Sequence, residues 1–211
     1  MRTWILAACA SAVLLFAPAS SSACLNVVER DRVPEIRPTQ MAEQQLSRGR
    51  VRRAVRVARR ALAGVERRRR GDSRRRQLHP RLIRVLAVAT VRLEGGVERP
   101  GWRTPMSMPA HERSANLRWA LDRLYVTSRS TPVERAHYGE ALAALGRHAA
   151  ARDVLRALSR ADLMPDAHAF AALARAEAAL GNLTEAEQAW VGCRAVASRR
   201  QRSLCRGDGA S

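Results

Sequence analysis

Residues 134–158 read ERAHYGEALAALGRHAAARDVLRAL, and residues 167–193 read AHAFAALARAEAALGNLTEAEQAWVGC. The glycines Gly146 and Gly181 lie 35 residues apart. Seven residues before each stands a small residue, Gly139 or Ala174, preceded by a bulky one, Tyr138 or Leu173. Five residues after each glycine comes Ala151 or Ala186. Leu155 or Trp190 follows four further on, and Leu158 or Cys193 three beyond that. Internal self-similarity of this kind decides a fold before local propensity does. Each unit reads as two antiparallel helices joined by a tight turn, with the glycine in the left-handed conformation that a β-carbon disfavours. Small residues let the helices cross closely, and bulky ones fill the seam.

The same template fits MAEQQLSRGRVRRAVRVARRAL, residues 41–62, with Ala42 seven before Gly49 and Ala54 five after it. Between the two regions lies a degenerate unit. Its first helix is expected over about 79–93, ending at Gly95-Gly96, and its second over about 111–126. An insertion, residues 94–113, separates them. Gly95, Gly96, Pro100, Pro105 and Pro109 prevent regular helix there, and Trp102, Met106 and Met108 are apolar in a loop. The long Ala/Leu/Arg stretches favour helix throughout, and few β-branched runs alternate with period two. The fold class expected is all-α.

These spacings resemble the tetratricopeptide repeat family, most closely over about 35–70 and 130–200. The chain departs from that family in its 35-residue offset, its insertion, and Arg135 where an aromatic or Leu is usual. The resemblance implies antiparallel hairpins stacked as a short right-handed solenoid, at about 35–70, 78–128, 131–165 and 166–200, within a domain 35–201. It also implies a binding role, with a concave groove lined by the first helix of each hairpin and taking a protein or peptide ligand. By family register the groove-facing candidates are Thr39, Glu43, Thr90, Glu140, His168 and Arg175. The set is mixed in sign, with one Arg, and does not match a site for a C-terminal carboxylate.

Residues 1–23 read as an export signal: Arg2, an uncharged apolar run Trp4–Ala17, Pro18, then the small residues 19–23. The run is too short to span a bilayer core, which needs roughly 20 residues. A small-x-small cleavage site at Ser21 and Ala23 places Cys24 at the mature N-terminus. The same arrangement resembles a bacterial lipoprotein signal, which implies a lipidated Cys24 and a periplasmic or outer-membrane location. Ser21 stands where that family prefers an aliphatic residue, so an ordinary secretory signal stays open beside it. Residues 24–34 read as a linker and 202–211 as a disordered tail. Without Cys9, the mature chain keeps Cys24, Cys193 and Cys205. The latter two are close enough in sequence to pair, or both stay reduced with Cys193 as a packing residue.

The chain of 211 residues carries a formal charge of +19, with Arg as its sole Arg/Lys type, a bias that points partly to base composition. Residues 48–76 are the basic concentration. Within them Val51, Ala54, Val55, Ala58, Ala61, Leu62 and Val65 form an apolar stripe, and Arg52, Arg53, Arg56, Arg59 and Arg60 the opposite face. Arg67–Arg70 and Arg74–Arg76 continue the run as a frayed helix end or loop. Such a surface suits an anionic membrane or cell wall, or stays solvated without a ligand. Nucleic acid would use the same charge, but export and the lack of interleaved aromatics weigh against it. The five histidines show no metal-binding spacing, and no nucleophile or phosphate-loop motif occurs. No enzyme, metal or cofactor is expected. Asn182-Leu183-Thr184 is read as Thr184 capping a helix.

Overall fold

Five helices end the same way, and only three of them on glycine. The structure, a computed structural model, describes residues 36–68, 72–96, 108–128 and 130–206. Eight helices occupy them: α1 (Ile36–Ser47), α2 (Val51–Glu66), α3 (Ser73–Arg92), α4 (Ala110–Thr127), α5 (Pro132–Ala144), α6 (His148–Arg160), α7 (Ala167–Ala179) and α8 (Leu183–Val196). A short 3-10 turn, Arg202–Cys205, follows. No strand occurs among the described residues, so the chain is all-helical there.

Gly49, Gly146 and Gly181 hold positive φ at the ends of α1, α5 and α7. At each, the next residue's N–H reaches back over five residues: Arg50 to Gln45, Arg147 to Leu142, and Asn182 to Glu177. The glycine N–H closes the inner turn. This double closure satisfies carbonyls that a helix end otherwise leaves unpaired. Glu94 (φ 51°) and Asp162 (φ 56°) fill the same position after α3 and α6. The Gly95 N–H then donates to Thr90, and the Leu163 N–H to Leu158.

Helix starts are fixed by side chains. Asp72, Thr131 and Asp166 accept from the N–H groups of Arg74, Glu134 and Ala169. Asp72 corrects one expectation: α3 begins at Ser73, not near His79, and runs through Pro80. Arg74–Arg76 thus lie in the first turn of α3 rather than in a frayed end or loop. Arg75 donates to the carbonyls of Glu66 and Arg68, near the C-terminal end of α2. Thr184 is also corrected. It lies inside α8, whose preceding residue, Asn182, makes no side-chain capping bond.

Each helix packs against the next in sequence, and α1 meets α3, α3 meets α5, and α5 meets α7. One apolar cluster centres on Leu78, Leu82, Val85 and Leu124, and a second on Leu155, Leu158, Leu173 and Trp190. The α2 stripe faces inward: Ala54, Val55, Ala58, Ala61 and Val65 are buried. The insertion narrows to Met108, which is buried, while Asn116 donates to its Sδ and to the Gly95 carbonyl. Trp102 and Met106 lie outside the described residues, as do residues 1–23 and Cys24. None of the described helices is long and apolar enough to cross a membrane.

The 202–211 tail expectation is corrected over its first residues. Cys205 is buried and joined to Cys193 by a disulfide, with Cα atoms 5.6 Å apart. The 3-10 turn packs on α7 and α8. Gln201, just before it, is buried, and a Cβ placed on Gly49 would meet its Cγ at 3.4 Å. The C-terminal segment therefore reaches back to the α1–α2 turn.

Candidate functional site

Arg92 ends α3, and its side chain is 2% exposed. Its guanidinium forks onto Glu140 of α5, Nε to Oε2 and a terminal nitrogen to Oε1, both at 2.9 Å. The same terminal nitrogen donates to Asp166 at 2.8 Å. Asp166 also caps α7 through the Ala169 N–H. One cation thus ties α3, α5 and the start of α7. A buried charge costs several kcal/mol unless geometry and hydrogen bonds repay it, and a forked Arg–carboxylate pair is the arrangement that does so. Burial disfavours the Arg92 charge, but Glu140 and Asp166 outweigh it and raise the pKa. Burial would raise Asp166; Arg92 holds it below the usual carboxylate value.

A second set lies closer to α1. Arg81 forks onto Glu43, and Arg84 bridges Glu43 and Glu134. The odd-numbered helices α1, α3 and α5 are thereby linked across their shared face. His137 and His168 lie beside the Arg92 network. Burial, then Arg92 among the charges, lowers the pKa of both, His168 to about 4. His137 Nδ1 and His168 Nε2 are buried with no hydrogen-bond partner.

Two hollows share Arg92 as a wall. The larger is a cleft of about 580 Å³, walled by α3, α4, α5, α6 and α7, with Leu204 of the C-terminal segment on its rim. Its polar lining includes Arg113, Arg175, His148 and His168; Val91, Leu117, Ala143 and Ala144 supply apolar walls. The smaller, about 290 Å³, lies between Glu43, Ser47, Arg84, Val133, His137 and Asp166.

Of the six groove candidates, Glu140, His168 and Arg175 line the larger cleft and Glu43 the smaller. Thr39 and Thr90 are corrected: both are fully buried and present nothing to a ligand. The Thr90 hydroxyl turns inward and donates to the Leu86 carbonyl, and the left-handed cap that follows α3 is Glu94. Glu43 and Glu140 are held by arginines rather than left open.

Arg84, Arg92, Arg113, Glu134 and His148 were not legible as site residues. In a chain with 38 arginines, no single Arg stands out by type. The readable signal for Arg92 is its place directly after the apolar run Val85–Val91.

On α2, Arg52, Arg53, Arg56 and Arg60 are exposed and Arg59 is half-buried. No group of three or more metal-ligating side chains occurs among the described residues. Comparison of the chain with protein-family models, curated proteins and solved structures finds no match.

Proposed function

We propose that this chain is an exported, envelope-anchored scaffold of stacked helical hairpins, resembling tetratricopeptide repeats, that binds a protein or peptide in the groove of its odd-numbered helices. One observation carries the reading. Helices α1, α3, α5 and α7 meet in succession, and the two hollows that share Arg92 are lined in part by them. Successive hairpins that each contribute a first helix build a continuous concave surface, the usual binding face of helical arrays. The ion pairs Glu43–Arg84–Glu134 and Arg92–Glu140 hold neighbouring first helices in register. The role needs no catalytic residue, cofactor or metal. Residues 1–23 support export, and Cys24 supports a lipid anchor.

The test is a photo-crosslinking residue at Ala144, an exposed position on the cleft wall, in cells that make the full chain. Reproducible adducts to a defined envelope protein are expected. A crosslinker at exposed Asp153 of α6 should give none. Identical adduct patterns from both positions would overturn the groove assignment. Intact mass of the membrane-extracted protein reads cleavage and acylation at Cys24 directly.

A second reading rests on the exposed α2 arginines. They form a basic face that an anionic bilayer or cell wall would neutralise, and a polybasic patch is the kind of second signal that a single acyl chain needs. Flotation with vesicles containing phosphatidylglycerol, lost on replacing Arg52, Arg53, Arg56 and Arg60 by Gln, would support it. Unchanged flotation would remove it.

A further inference from the structure

We infer that the larger cleft is a seat for an acidic peptide segment, one that presents a carboxylate beside aliphatic side chains. The inference rests on the groove reading above and names the ligand class of that groove.

The cleft holds three guanidinium groups in different states. Arg92 is neutralised by Glu140 and Asp166. Arg113 and Arg175 have no hydrogen-bond or ion-pair partner among the described residues, unlike Arg81, Arg84 and Arg156, each of which meets a carboxylate. A guanidinium stays charged at any physiological pH and presents a fork shaped for a carboxylate. Arg92 and Glu140 are taken up by each other and by Asp166, so the unpaired forks of Arg113 and Arg175 face one further carboxylate in the lining, Glu94. His168 adds no charge at neutral pH, because burial and Arg92 keep its imidazole uncharged.

Beside Ser114 and His148, the walls are aliphatic: Val91, Ala110, Leu117, Ala143, Ala144 and Leu204. A carboxylate answers the unpaired guanidinium forks of Arg113 and Arg175, and its aliphatic neighbours answer these walls. A nucleotide fits less well. It brings several charges, and no Phe, Tyr or Trp lines the cleft to stack a base. The volume, about 580 Å³, lies in the range of sites that enclose a short segment or small ligand, roughly 300–1,000 Å³.

The experiment is fluorescence anisotropy with the purified full-length chain and two labelled probes, acetyl-Leu-Glu-Leu-Glu-Leu-amide and its Gln isostere. The Glu probe is expected to bind more tightly than the Gln probe by about tenfold or more. The double variant Arg113→Gln/Arg175→Gln should lose a similar factor. Ala144→Trp, at an exposed wall position, fills the cleft without altering a charge and should lose it too. The α2 variant with Arg52, Arg53, Arg56 and Arg60 as Gln should bind as the parent does. Circular dichroism checks that each variant folds.

Equal binding of the Glu and Gln probes would overturn the acidic class while leaving the groove reading intact. Undiminished binding in both cleft variants would remove the site from the cleft. Loss confined to the α2 variant would assign binding to the basic face. Failure of both probes to bind would overturn the inference outright, and the Ala144 crosslink would still judge the groove.

Discussion

Glu94 and Asp162 hold a backbone conformation that Gly49, Gly146 and Gly181 hold elsewhere in the same chain. A side chain at positive φ costs roughly 1 kcal/mol relative to glycine. Glu94→Gly and Asp162→Gly are each expected to raise unfolding free energy by about 0.5–1 kcal/mol, and Gly146→Ala to lower it by about 1 kcal/mol. Urea denaturation reads all three, and destabilisation by the glycines would refute the cap assignment. The same residues show where reading by residue type stops. A Gly-Gly pair after an apolar run marks a helix end, but not which residue turns left-handed. Thr90, four residues before Glu94, is fully buried. Asp166 could not be read as a partner of Arg92, because that partner lies 74 residues away.

At the scale of elements, the α2 stripe was readable because seven apolar positions keep helical period, and period alone fixes which face is buried. The start of α3 was not, since Arg74–Arg76 carry no apolar signal and Pro80 reads as a boundary. The crossing of α5 and α6 was readable from Gly139. A Cβ there would lie 2.7 Å from Leu155 Cδ2, and Leu155 is fully buried. Gly139→Ala therefore sets overpacking, about 1–3 kcal/mol, against a helix-propensity gain of about 1 kcal/mol. Alone it should destabilise. In a Leu155→Ala background the methyl has room, and the same change should stabilise by about 1 kcal/mol. A double-mutant cycle in denaturant measures the sign reversal; equal effects in both backgrounds would show that the helices do not cross at this glycine.

For the whole molecule, burial of His168 beside the Arg92 cluster sets a response to acid. His168 takes up a proton near pH 6.5 when unfolded but only near pH 4 when folded. Between those values the unfolded chain holds the extra proton, so stability falls as pH falls. The loss approaches about 3 kcal/mol at most and levels off below pH 4. His137, also lowered by burial, contributes in the same direction. Asp166, held below its ordinary value of 3.8, adds its own loss as pH drops further, when its carboxylate is protonated. Urea midpoints at pH 7.5 and 4.5 should differ clearly, and His168→Gln should shrink the difference; pH-independent midpoints would refute this acid response. None of this was legible in the sequence. Helix class and turn positions follow from local spacing, whereas the choice of one arginine among many for the buried site is made by tertiary packing.

The contact between Gln201 and the Gly49 turn bears on how such a chain can change in length. A helical chain whose ends touch nothing else can gain or lose a helix pair without breaking a distant contact. Here the segment latched by Cys193–Cys205 spans from α8 back to the first turn. Another helix pair between α6 and α7 would shift the latch by about 8–10 Å, the spacing of packed helices, and Gln201 would no longer meet Gly49. Leu204 would leave the rim of the cleft with it. The C-terminal segment thus ties the length of the helical region to its first turn.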